Sequence, residues 1–184
     1  MRVITGTAKG KKLLTPKDQR IRPTTDRIKE TLFNIIQPYI NDAVIIDCFA
    51  GTGGIGIEAL SRGARHGYFI DNHKESIKLI KKNLEIAQVQ DKAEIFQKEA
   101  VSAFTFLGSK KVKADIVYMD PPYDLHIISE LIAQISKEGL LSEDGLIIAE
   151  HDQSVELEEQ IQNYTKVDKR VYGTTIMSYY RDLS

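Results

Sequence analysis

The chain reads as an α/β protein of Rossmann-like type, and three observations carry that reading. From residue 43 onward, short apolar or β-branched runs (43–48, 67–70, 93–97, 114–119 and 145–149) alternate with helical patterns near 54–62, 74–88, 99–107 and 126–137. That alternation marks a parallel sheet covered on both faces. Gly51-x-Gly53-x-x-Gly56 follows the first run and opens the first of these helices, with Asp71 twenty residues after Gly51. Asp120-Pro121-Pro122-Tyr123 closes the fourth run, because neither proline has an N–H with which to extend a central strand.

The elements follow in order. Residues 2–14 predict a hairpin, with β-branched residues around Gly6 and Gly10. A loop over 15–23 contains Pro16 and Pro23. A helix then starts near Thr24 or Thr25, with Asp26 in its first turn and Ile28, Leu32, Phe33, Ile35 and Ile36 on one face; Pro38 ends it. Residues 1–40 are read as an extension and 41–184 as the domain that holds the chemistry. The tail, with runs near 165–171 and 174–181 joined at Tyr172-Gly173-Thr174, predicts an antiparallel hairpin. The Lys-rich helix over 74–88 (Lys74, Lys78, Lys81, Lys82) reads as a solvated face.

Composition narrows the function classes. A chain of 184 residues, 42% hydrophobic and 28% charged, can bury a full core without staples. Cys48 is the single cysteine, which excludes an intramolecular disulfide and a Cys-based zinc site. The four histidines (His66, His73, His126, His151) lack ligand spacing, so no metal is expected. No apolar run is long enough for a bilayer and the N-terminus has no signal-like segment, so the expected compartment is the cytoplasm. The net charge is −1, but residues 1–30 hold nine Lys/Arg against three acids, leaving −7 for the rest. An isolated basic run is commonly a solvated surface; beside a base-modifying site it reads as a phosphate-binding arm.

The glycine loop alone admits a nicotinamide dinucleotide, S-adenosylmethionine, or a bare strand-to-helix turn. Asp47 favours S-adenosylmethionine, since a negative charge there opposes a pyrophosphate and suits an ammonium group. Asp71 is placed to accept from both ribose hydroxyls, or else to serve as a helix-start acid. Glu99 could accept the adenine amino group, and it too could be a simple helix-start acid. Glu150 reads either as a pocket organiser or as a buried acid with a backbone partner. Asp120 and the Pro121 carbonyl can together accept both hydrogens of an exocyclic NH2 group, while Tyr123 stacks on the base that carries it. Such an amine is a weak nucleophile because its lone pair is delocalised into the ring. Holding both N–H bonds turns that lone pair out of the base plane, toward in-line attack.

With these residues in place, the chain resembles the RsmD family, S-adenosylmethionine-dependent methyltransferases acting at N2 of a guanine in small-subunit (16S) ribosomal RNA. The specific part is the N-terminal stretch Arg2 to Leu13 and the segment Arg22-Pro23-Thr24-Thr25-Asp26-Arg27. Asp47 to Ala64, Asp120-Pro121-Pro122-Tyr123 and Tyr172-Gly173-Thr174-Thr175 complete it. Asp71 stands where glutamate is common, Glu99 where aspartate is common, and His73 at a position that is often acidic. The resemblance implies a class I methyltransferase fold: a seven-stranded, mostly parallel sheet with an antiparallel C-terminal hairpin. It implies catalysis by Asp120, Pro121, Pro122 and Tyr123. The cofactor is expected at Asp47, Phe49, Gly51, Gly53, Asp71, Asn72, Glu99, Ala100 and Asp120. RNA contacts are expected from Arg2, Lys9, Lys11, Lys12, Arg22 and Arg27. The expected partner is ribosomal RNA or the small ribosomal subunit, met by a monomer without membrane or metal. The alternatives are an N6-adenine or N4-cytosine nucleic-acid methyltransferase, a nicotinamide-dependent oxidoreductase, and a non-catalytic ribosome-assembly factor. A protein glutamine methyltransferase would usually carry asparagine in place of Asp120.

Overall fold

All five side chains of Val44–Cys48 (β1) are buried, so this strand needs cover on both faces. Consecutive side chains point to opposite sides: Ile45 joins one apolar cluster and Ile46 the other. The computed structural model describes residues 1–16, 26–122 and 125–184, with 125 and 126 as backbone only. Around β1 the strands lie in the order β3-β2-β1-β4-β5-β8-β7-β6. β2 (His66–Asp71), β3 (Ala93–Gln97), β4 (Ala114–Met119) and β5 (Leu141–Asp152) run parallel to it. β6 (Gln160–Ile161), β7 (Tyr164–Tyr172) and β8 (Thr175–Asp182) close the sheet with antiparallel pairs. Helices α1 (Asp26–Ile36), α2 (Gly54–Ser61) and α3 (Lys74–Ala87) cover the Ile45 face; α4 (Ala100–Ser109) and α5 (Leu125–Glu138) cover the Ile46 face.

The sequence pattern and the structure differ at a few places. β5 begins at Leu141 rather than 145, because Ala114 pairs with Leu141 across a register shift. Asp115 holds that irregularity, accepting from Ser142 Oγ (2.8 Å) and from the Val44 N–H (2.8 Å). The sheet gains an eighth strand from two residues, Gln160 and Ile161, too short a run to show a period. Helix α1 gives way at Ile36 to one 3-10 turn, Gln37–Tyr39, that contains Pro38. The expected helix start at Thr24 or Thr25 lies outside the described residues.

The N-terminal hairpin forms around a single antiparallel bridge, Arg2 to Lys12. Its apolar residues Val3, Ala8 and Leu13 share one core with Leu32, Phe33 and Ile36 of α1 and with α2 and α3. Glu58 of α2 fixes it there. This fully buried carboxylate accepts the N–H groups of Ile4 (2.8 Å) and Thr5 (3.0 Å) and the Nε–H of Arg62 (2.9 Å), and lies 3.2 Å from Lys29 Nζ. Lys29 is equally buried and also donates to the Arg2 carbonyl. Burial pulls its ammonium below the usual lysine range, and Glu58 works against that shift. Gly6 is required by contact as well as by its φ of +88°, since a Cβ there would sit 1.8 Å from the Ser61 carbonyl oxygen.

Two substitutions test this clamp by urea denaturation. Glu58→Ala leaves Lys29 without its buried counter-charge and strands two N–H groups; a loss of about 3–5 kcal/mol is expected. Gly6→Ala is expected to lower the unfolding midpoint, whereas Gly10→Ala, where a Cβ meets nothing within 4 Å, is expected to cost less. Equal midpoints for the two glycine variants would show that hairpin contact with Ser61 is not what requires Gly6.

Candidate active site

The loop between β1 and α2 is shaped by left-handed backbone at Phe49 (φ 61°), Gly51 (φ 56°) and Gly53 (φ 77°). For an aromatic residue such as Phe49 this conformation costs about 1–3 kcal/mol, the kind of strain that clusters at ligand sites. Gly56 allows α2 to approach β2: a Cβ there would lie 2.4 Å from the Phe69 ring. The loop is held by carboxylates. Asp71 Oδ2 accepts the Gly51 N–H (2.9 Å) and its Oδ1 the His73 N–H (2.8 Å). Asp47 Oδ2, buried under the loop, accepts the Gly56 N–H (2.8 Å). Asp71 therefore braces both the glycine loop and the entry to α3. Glu99 stands at the N-terminus of α4, ahead of buried Ala100, but its side chain makes no capping bond. It accepts instead from Asn72 Nδ2 (2.8 Å), which joins the ends of β2 and β3.

Register brings the acids to one edge and one face. Asp47 on β1 lies opposite Tyr118 on β4, and Tyr118 opposite Ile148 on β5. One step beyond β4 comes Asp120, and two residues beyond Ile148 comes Glu150. The Tyr118 hydroxyl donates a short hydrogen bond to Glu150 Oε2. Neither sequence reading of Glu150 anticipates a phenol partner. Burial, then the Glu150 charge, pushes the Tyr118 hydroxyl well above the ordinary phenol range. Asp120 reaches solvent, yet the protein packed around its carboxyl strips away much of its hydration; this desolvation, and secondly the charge of Glu150, pushes the carboxyl up to about 7. Burial raises Asp47 to about 8, with smaller contributions from Asp71 and Asp120, against the Gly56 hydrogen bond. Among the described residues, none of Asp47, Asp71 and Asp120 has a Lys or Arg partner. Pro121 is buried and Pro122 exposed.

Asp47, Phe49, Gly51, Gly53, Asp71 and Asp120 thus gather at the carboxyl edge, with Asn72, Glu99 and Ala100 beside them at the ends of β2 and β3. Tyr123 and Arg22 lie outside the described residues. Arg2, Lys9, Lys12 and Arg27 are exposed and Lys11 half-buried, all on the N-terminal segment rather than among the acids. The sequence reading omits two participants. Tyr118 could have been placed by strand parity with Asp120. Asn83 could not: its fully buried amide accepts the Leu14 N–H (2.7 Å) and donates to the carbonyls of Leu14 (3.0 Å) and Thr52 (2.9 Å). It ties the end of the hairpin to the glycine loop across long stretches of chain.

Comparison with known proteins agrees with this geometry. The family described as conserved hypothetical protein 95 matches residues 1–181. Ribosomal RNA small subunit methyltransferase D of Escherichia coli (strain K12) is 34% identical over 181 residues, covering 98% of this chain and 89% of its own. The chain belongs to the RsmD family. The solved structure of Escherichia coli yhhF superposes with a TM-score of 0.86 at 33% identity, covering 99% of this chain and 97% of that one. An RNA methyltransferase from Salinibacter ruber, solved with S-adenosyl-L-homocysteine, shares the fold at a TM-score of 0.65 and 16% identity, covering 85% and 91% of the two chains. The chain therefore has the class I methyltransferase frame, in a sheet of eight strands that includes the two-residue β6.

The raised carboxyls give a test by calorimetry. Protons held by Asp47 (about 8) and Asp120 (about 7) at pH 7 are expelled when a cation enters among them. Binding of S-adenosylmethionine is therefore expected to release protons, and its affinity to rise as pH increases from about 6 to 8. S-adenosylhomocysteine, without the sulfonium charge, is expected to release fewer. Titration in two buffers of different ionisation enthalpy measures the difference; equal release for both ligands would separate the acidic edge from cation binding.

Proposed function

We propose that the protein is an S-adenosylmethionine-dependent methyltransferase acting on the exocyclic N2 amine of a guanine in small-subunit (16S) ribosomal RNA. The observation that carries this reading is the placement of Asp120, directly after the central strand β4 and beside the acid-lined glycine loop. The residues fit a cationic cofactor, because Asp47 and Asp71, at the ends of β1 and β2 beside the glycine loop, have no Lys or Arg partner among the described residues. Asp71 is assigned to the ribose hydroxyls, Asn72 and Glu99 to the adenine, and Asp47, Phe49, Gly51 and Gly53 to the methionine end. The bound cofactor supplies an electrophilic methyl group on a sulfonium.

The chain's own residues prepare the amine. Asp120, as carboxylate, and the Pro121 carbonyl each accept one N–H and turn the lone pair outward. A protonated Asp120 is a weaker acceptor and lacks the charge that stabilises the developing ammonium, so the raised carboxyl sets an acidic limit on turnover that cation binding relaxes. Two prolines stiffen the loop, and Tyr123 is assigned to stack on the extruded base. The basic residues Arg2, Lys9, Lys11, Lys12, Arg22 and Arg27 are assigned to phosphates, with residues 1–40 acting as the RNA-binding extension of the catalytic domain. Guanine follows from family membership, since adenine and cytosine offer the same amine to the same acceptors.

The test is incubation with methyl-labelled S-adenosylmethionine and unmodified small ribosomal subunits, then nucleoside analysis of the digested RNA by mass spectrometry. Label in N2-methylguanosine is expected; label in adenine or cytosine would keep the mechanism and overturn the base. In the same assay Asp120→Ala is expected to cut transfer by at least about 100-fold, the scale of losing one preorganised charge-stabilising group. Its affinity for S-adenosylhomocysteine should stay close to that of the unaltered protein. Normal turnover by this variant would remove Asp120 from the chemistry.

A further inference from the structure

The chemistry assigned to the Asp120 loop leaves the tail segment Tyr172-Gly173-Thr174-Thr175 unused, yet the sheet carries it to the same edge. β8 runs antiparallel to β5, so the β7–β8 turn emerges where β4 and β5 end. Glu150 lies opposite Met177, and Met177 opposite Arg170. Two pairs further out, and so on the same face, Asp152 lies opposite Thr175 and Thr175 opposite Tyr172. Directly opposed residues share a face, so Arg170 and Tyr172 stand on the Asp47–Tyr118–Glu150 side of the sheet. Two strand spacings separate Arg170 from Glu150, about 10 Å.

Arg170 is positioned rather than merely present. Its Nε donates to Asp168 Oδ2 (2.8 Å), and the side chain is 53% exposed. The Nη nitrogens have no partner among the described residues, and a guanidinium held at Nε turns them toward planar oxyanions. Lys169 and Val171 are exposed on the other face of the same strand, and the Gly173 turn (φ +63°) stands in open space.

Electrostatics gives this arm a partner. Asp71, Glu99 and Glu150, joined by Asp47 and Asp120 once a bound cation has expelled their protons, repel a phosphodiester chain, so a strand that delivers a base to Asp120 needs cations on its flanks. The N-terminal segment supplies them on the side of α2 and α3, to which Glu58 and Asn83 fasten it. In sheet order, β7 lies on the opposite side of β4. We propose that the β7–β8 hairpin, through Arg170 and Lys169, binds phosphates of the RNA strand flanking the target nucleotide, opposite the N-terminal basic segment. This rests on the RNA-methyltransferase reading.

The test is steady-state methylation of small ribosomal subunits by the full chain over a range of salt concentrations, with binding of S-adenosylhomocysteine measured in parallel. The double variant Arg170→Glu/Lys169→Glu is expected to raise KM for the subunit about tenfold. It is also expected to flatten the log–log salt dependence by roughly 0.7–0.9 for each phosphate it no longer neutralises. Its kcat and its S-adenosylhomocysteine affinity should stay within about twofold of the unaltered protein, and Arg170→Lys should recover most of the KM. An unaltered KM and salt slope in the double variant, with the unaltered protein active, would overturn the proposal and leave the methyltransferase reading intact. Weakened S-adenosylhomocysteine binding or a fallen kcat would also overturn it, by showing that the hairpin supports the cofactor pocket. If the unaltered protein transfers no methyl group to RNA, the RNA reading fails and this inference with it.

Discussion

Glu58 has no contact with water, and its charge is tolerable only because four donors surround it. Two are backbone N–H groups of the N-terminal hairpin; the others come from Lys29 and Arg62. A buried ion pair is weak as a source of stability but severe when broken, since the surviving charge keeps its desolvation cost. The hairpin therefore cannot leave α2 without taking two N–H donors from Glu58 and the Arg2 carbonyl from Lys29. Once it is fastened, Ser61 and Asn83 complete the attachment, and Asn83 reaches onward to the carbonyl of Thr52 in the glycine loop. Met1 lies over Gly54, where a Cβ would come within 2.6 Å of its sulfur. The basic segment and the loop assigned to the cofactor thus share one set of supports.

The opposite electrostatic situation prevails at the carboxyl edge. There Asp47, Asp71 and Asp120 converge without cationic partners among the described residues, and two of them hold their protons toward neutral pH. Such a cluster is unfavourable for the protein alone and favourable for a positively charged ligand. Glu150 belongs to this group yet is placed differently, bound to the Tyr118 hydroxyl beneath Asp120. That bond fixes one acid of the pair, leaving Asp120 as the one that reaches solvent. The same negative edge that suits a sulfonium is hostile to phosphate. For that reason the cations of the molecule matter by position rather than by number.

Much of this is legible in the chain because it depends on short-range constraints. Two prolines after an apolar run stop a strand wherever it is, and glycines at 51, 53 and 56 announce a turn that other residues enter only with strain. The exception is Phe49, which takes a left-handed backbone with nothing local to announce it. The runs that form β1, β3 and β4 appear at the predicted positions, and the tail hairpin turns at Gly173 as expected. β5 reads short in the sequence because Ser142, Glu143, Asp144 and Gly145 look like a turn; Asp115, far away in sequence, makes them part of a strand. The two residues of β6 form only because β7 offers an edge.

By itself, the sequence determined the α/β alternation, the glycine loop, the strand-ending Asp120 and the basic bias of the first thirty residues, since each is encoded by neighbours within a few positions. Tertiary structure decided which of these meet. The strand order places β4 beside β1, so that Asp120 comes near Asp47 although 73 residues separate them. Antiparallel β8 returns Arg170 to the row of Glu150. The Glu58, Asn83 and Tyr118–Glu150 contacts are of the same kind. They depend on hydrogen-bond geometry between segments brought together by sheet register, and no periodicity in the chain records a register between distant strands.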